Sequence, residues 1–166
     1  MDTRNDLIGT QVGFTLIELL ITIAVAGILL AIATPSFLQW RQNLQYKEAA
    51  DGLVSTLRTA RSSAISLNRQ NKVEFKPLSA RYRTVQGDKA YGNINGDWNT
   101  VKQDWTATPV GIVMKTGAGC SGTADVAIPF SPNGTATAET ICIGDNSSTR
   151  YQIVVAASGR IKSIRK

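Results

Sequence analysis

Gly13-Phe14-Thr15-Leu16-Ile17-Glu18 opens an apolar run that continues as Leu19-Leu20-Ile21-Thr22-Ile23-Ala24-Val25-Ala26-Gly27-Ile28-Leu29-Leu30-Ala31-Ile32-Ala33. After Glu18 no charge appears until Arg41. From Phe14 this is more than 20 residues. At about 1.5 Å of helical rise each, they cross the roughly 30 Å hydrocarbon core of a bilayer. A carboxylate inside such a run is costly unless it is paired, so Glu18 is a candidate functional residue. A secretory signal cut after Ala31-Ile32-Ala33 is disfavoured by Glu18 within its apolar centre and by Pro35 close behind. A plain membrane anchor accounts for the run but not for the Gly-Phe-x-x-x-Glu spacing.

That hexapeptide, with its polar leader and apolar sequel, resembles the class III signal of type IV pilins and type II secretion pseudopilins. The resemblance implies that residues 1–13 are a leader, removed by a prepilin peptidase between Gly13 and Phe14, and that Phe14 is then N-methylated. The leader carries Arg4 against Asp2 and Asp6, whereas family leaders are usually basic. In a filament, the family's logic pairs Glu18 with the N-terminal amine of a neighbouring subunit, setting axial register. An ion left unpaired in an apolar core costs about 3–5 kcal/mol. The resemblance also implies a single-pass protein of the bacterial inner membrane, its C-terminal domain in the periplasm, that later enters a pilus or pseudopilus. Implied partners are the peptidase, other minor and major pilins or pseudopilins, the inner-membrane assembly platform and, before assembly, membrane lipid.

One helix is expected over residues 14–67. Residues 14–36 form its membrane or filament-core part, and residues 37–69 an amphipathic continuation into the head. Pro35 lies where the apolar run ends and removes a backbone bond, so a kink or local loosening is expected there. Tyr46, Ala50, Leu53, Leu57, Ala60, Ala64 and Leu67 recur at steps of three and four and form one packing stripe. From Asn71 the period falls to two and turn residues multiply. Strands are expected at 72–75 and 81–85, around Pro77-Leu78-Ser79. Others are expected at 110–114, 124–130, 140–143, 151–157 and 160–164, with a long loop over 88–104. The fold class is α+β, a long N-terminal helix packed on a C-terminal antiparallel sheet over residues 70–166.

Composition excludes most chemistry. There is no histidine, and the net charge of +6 becomes +7 without residues 1–13. No Cys-x-x-Cys pair, phosphate loop or nucleophile elbow occurs. No catalytic residue, metal site or cofactor is expected, and Asp97, Asp104 and Asp125 read as solvated loop acids. Cys120 and Cys142 admit one disulfide in an oxidising compartment; two separate buried thiols are the alternative.

The C-terminal region carries a second resemblance. Phe130-Ser131-Pro132-Asn133-Gly134-Thr135, Ile141-Cys142-Ile143, Tyr151-Gln152-Ile153-Val154-Val155 and Ser158-Gly159-Arg160-Ile161 resemble the GspH/FimT family, nearest its FimU/FimT-like minor pilins. Gly159-Arg160-Ile161-Lys162 reads as a tight hairpin into a charged edge strand. The family offers a second reading, in which Arg160 and Lys162, extended by Arg165 and Lys166, contact DNA phosphate without sequence specificity. The resemblance implies a non-enzymatic minor type IV pilin that helps prime assembly at the tip. A minor pseudopilin of type II secretion and a DNA-binding minor pilin for natural transformation are the alternatives.

Overall fold

The computed structural model describes residues 13–87, 98 and 100–166. The expected leader up to Val12, most of the expected 88–104 loop and Asp97 lie outside these.

Helix α1 runs from Leu16 to Ser66 and passes through Pro35. Thr15 caps it: its hydroxyl accepts the Glu18 amide at 3.3 Å, and its carbonyl accepts the Leu19 amide at 3.2 Å. Thr15-Leu16-Ile17-Glu18 thus has the spacing of a capping box. At the other end Asn68 turns left-handed at φ 50°. The Arg69 amide reaches the Ala64 carbonyl and the Asn68 amide reaches that of Ile65. This Schellman closure explains one departure from expectation. Leu67, expected on the packing stripe, lies beyond the last turn and is 52% exposed. The rest of the stripe packs: Ala50, Leu53, Leu57, Ala60 and Ala64 are buried with Ala49 and Val54, and Tyr46 is half-buried against them.

The strands form two antiparallel sheets rather than the single one expected. β1 (Asn71–Lys76), β2 (Arg81–Gln86), β3 (Thr100–Ala107) and β5 (Val126–Phe130) pair in the order β3-β2-β1-β5. β4 (Val113–Thr116), β6 (Glu139–Gly144), β7 (Thr149–Val155) and β8 (Ile161–Arg165) pair as β4-β6-β7-β8. β1 pairs with β2 and β5, and β6 with β4 and β7; among the described residues no ladder joins the two sheets. Period-two alternation marks strands but not which edges meet. β3 also falls partly in the stretch expected as loop. β4 starts later than expected because Val110 is fully solvated and Gly111 turns at φ 86°.

Val73, Phe75, Ile128 and Phe130 of one sheet and Met114, Ile141, Ile143, Ile153 and Val155 of the other join the buried face of α1 in one core. Burying a side chain of this size contributes roughly 1.5–3 kcal/mol. The chain divides into two compact units between Arg41 and Gln42.

Candidate assembly interface

The N-terminal unit presents apolar surface without a covering. Phe14 is 70% exposed, and Leu16 through Trp40 remain exposed on every helical face. An 18-residue window here has a mean hydropathy of 2.7, and none of it is buried within the chain. Length and composition suffice to cross a membrane. An apolar helix exposed all round needs lipid or other helices around it. Gly13 and Phe14 precede the first turn, and Glu18 lies within it. Its amide is used by the Thr15 cap. Among the described residues its carboxylate makes no ion pair. Local structure therefore accounts for Thr15 but gives the Glu18 carboxylate no role within the described chain.

The C-terminal signature is organised by a residue that sequence reading passed over. Arg61 of α1 donates from Nε to the Gly134 carbonyl at 3.1 Å. Gly134 and Gly159 stand at φ 84° and 74°. A Cβ on Gly159 would overlap the Gly134 carbonyl oxygen and come within 2.9 Å of Arg61 Nε. The Asn-Gly turn and the Ser-Gly-Arg turn are thus stacked against the helix, where only glycine fits. The spacing of Arg61 on the polar side of the stripe gave no sign of this, because its partner carbonyl is 73 residues away.

Cys120 and Cys142 form a disulfide, with Cα atoms 5.6 Å apart. It ties the 117–122 turn to β6, and the Gly117 amide also reaches the Thr140 carbonyl at 2.9 Å.

The four C-terminal cations do not share one surface. Arg160 sits in the Gly159 turn, whereas Arg165 ends β8, five residues away, or about 17 Å at strand rise. Lys162 lies opposite Val154 and Arg165 opposite Tyr151, so the odd separation puts them on opposite faces of the sheet. Arg165 and Lys166 instead line a small concavity with Arg150, Asn43, Tyr46 and Tyr151.

Two carboxylates are tuned. Burial opposes the charge of Glu74, but Lys72 at 2.7 Å and Arg83 at 2.6 Å outweigh it and hold the carboxyl below its ordinary value. Asp145 is held well below the usual carboxylate range by the Ser147 hydroxyl and by the Ser148 and Ser147 amides. Among the described residues, no group of three or more His, Cys, Asp or Glu side chains gathers where a metal could bind.

Residues 49–159, more than half of the chain, match the family described as Type II transport protein GspH. The chain belongs to the GspH family. Residues 11–34 match the prokaryotic N-terminal methylation motif. A fimbrial protein of Moraxella nonliquefaciens is 48% identical over 64 residues, 37% of this chain and 36% of that relative. A fimbrial protein of Pseudomonas aeruginosa is 40% identical over 72 residues, 43% of this chain and 46% of that one. The chain thus spans less than half the length of the curated relatives it matches.

Solved structures of similar fold include the minor pseudopilin EpsH from the Type 2 Secretion System of Vibrio cholerae. It has a TM-score of 0.54 at 16% identity, covering 73% of this GspH-family chain and 97% of that one. The type IV minor pilin FimU of Pseudomonas aeruginosa gives 0.52 at 21% identity, over 71% and 91%. The fold expected from the sequence, a long helix on antiparallel β-structure, is thereby shown.

Proposed function

We propose that this GspH-family protein is a minor type IV pilin, a non-enzymatic subunit that primes pilus assembly at the tip. The observation that carries the proposal is an uncovered apolar helix, with one unmatched carboxylate in its first turn, running into a GspH-type head. On this reading prepilin peptidase cuts after Gly13, and Phe14 is methylated. Residues 14–36 hold the protein in the inner membrane, residues 37–69 carry the amphipathic continuation, and residues 70–166 stand in the periplasm. Glu18 then pairs with a neighbouring amine, which removes two unmatched charges from the filament core. Pro35 loosens the helix locally as subunits pack. The subunit acts by packing.

A minor pseudopilin of type II secretion shares this architecture, and the EpsH and FimU folds match almost equally, at 0.54 and 0.52. The test is deletion of the gene in its host. Loss of surface pili with exoprotein secretion intact is the expected outcome. Lost secretion with pili retained overturns it in favour of the pseudopilin. Lost DNA uptake with pili retained overturns it in favour of a DNA receptor acting through Arg160, Lys162, Arg165 and Lys166.

A further inference from the structure

β8 is an edge strand, paired through its ladder with β7 alone. The Ala156 amide donates to the Arg160 carbonyl and the Lys166 amide to the Arg150 carbonyl, both at 2.9 Å. Even-numbered residues from Arg160 to Lys166 therefore turn their backbone groups toward β7. The N–H and C=O groups of Ile161, Ser163 and Arg165 then point away, along the open edge. Among the described residues no strand pairs with that edge. It runs for five residues, about 17 Å and an ordinary length for a strand.

The side chains flanking this edge are cationic on both faces. Arg165, opposite Tyr151, shares the face of the buried Ile153 and Val155, whereas Lys162, opposite Val154, lies on the other. Arg160, Lys162 and Arg165 are exposed. None has an ion-pair partner among the described residues. Residues 158–166 hold four cations and no acid. An anionic surface laid on one face of the sheet meets only part of this set. A strand bonded along the edge sends its own side chains alternately to both faces. Acids three apart in such a strand reach Lys162 on one face and Arg165 on the other. Two copies of β8 laid edge to edge would instead set four cations against four, which disfavours self-pairing. Nor does the chain itself offer an acidic strand, since its most closely spaced acids, Glu48 and Asp51, lie in α1.

We propose that the open edge of β8 accepts an added strand from a different protein, an extended segment with acidic side chains on both of its faces. Backbone bonds from Ile161, Ser163 and Arg165 hold the segment, and Lys162 and Arg165 select its charge. Every group involved belongs to β8, so the site does not depend on the reading of residues 14–36.

The test uses the full chain in detergent micelles and a synthetic peptide, Val-Glu-Val-Thr-Glu-Val, blocked at both ends. Binding is titrated, and amide exchange is followed residue by residue. The peptide should slow exchange at Ile161, Ser163 and Arg165 and leave Lys162 and Ile164, already bonded to β7, unchanged. Lys162→Gln and Arg165→Gln should each weaken binding about two- to fivefold. Protection retained at the buried Ile153 amide confirms that each variant is folded. The same peptide with methylated backbone nitrogens should bind about tenfold more weakly. Equal binding of the methylated peptide reduces the effect to charge and overturns strand addition. So does a loss from only one of the two substitutions, which would place the ligand on a single face. Slowing of the same three amides with rising protein concentration and no peptide hands the edge to a second copy. A single-stranded oligonucleotide that binds where the peptide does not overturns the proposal in favour of nucleic acid.

Discussion

Glu18 shows how one side chain serves two levels of structure. Its amide completes the Thr15 cap at 3.3 Å, a local role that alanine can fill, because the donor is backbone. Its carboxylate has no ion-pair partner among the described residues, and the proposed register role pairs it with a neighbouring amine. Glu18→Ala should therefore leave the helix and leader removal intact while abolishing entry into filaments. Intact mass and the sheared filament fraction check both halves, and retained filament entry would remove the register role. Gly159 is the opposite case, a residue fixed wholly by the fold. With φ at 74° and the Gly134 carbonyl against its Cα, an added methyl meets both backbone strain and a clash. Gly159→Ala should destabilise the head by about 2–4 kcal/mol in a denaturant titration. A loss under about 0.5 kcal/mol would show that the two turns can part freely.

The elements are held by short-range devices that the sequence displays in part. α1 starts at the Thr15 cap and stops at a left-handed Asn68, neither of which the sequence analysis singled out. The packing stripe was legible up to Ala64 and failed at Leu67, where the Schellman turn carries the chain off the helix axis. The β6–β7 connection depends on Asp145, whose Oδ1 accepts the Ser147 amide at 2.8 Å and the Ser148 amide at 2.7 Å. These bonds favour the ionised form, so the folded carboxyl titrates below its unfolded value. The contribution is then fully present above the ordinary aspartate value of 3.8 and fades as pH falls below it. Asp145→Asn should lower the melting temperature at neutral pH, with the gap to the parent narrowing in acid. A gap that is independent of pH would assign the effect to shape rather than charge.

At the scale of the molecule, the head is one core between α1 and two sheets, stapled by Cys120–Cys142 across 22 residues of chain. Restraining a loop of that length stabilises by about 3 kcal/mol. The double substitution of Cys120 and Cys142 by serine should lower head stability by that order in a denaturant melt, and reductant should do the same to the parent. No change in either would mean that the 117–122 turn is held by its own backbone bonds. The apolar span, the lone carboxylate, the packing stripe as far as Ala64 and most strands could be read from the chain alone. Each is a matter of local order: a run, a spacing or a period. The pairing of β5 with β1 and of β4 with β6 could not be read. Neither could the Arg61–Gly134–Gly159 contact, the scattering of the C-terminal cations over two faces, or the gathering of Arg150 and Arg165 beside Tyr46. These join residues far apart in sequence, and alternation along a strand carries no information about which edge meets which. Only the closing of the two sheets over the helix brings such residues together, because burying the shared core fixes their register.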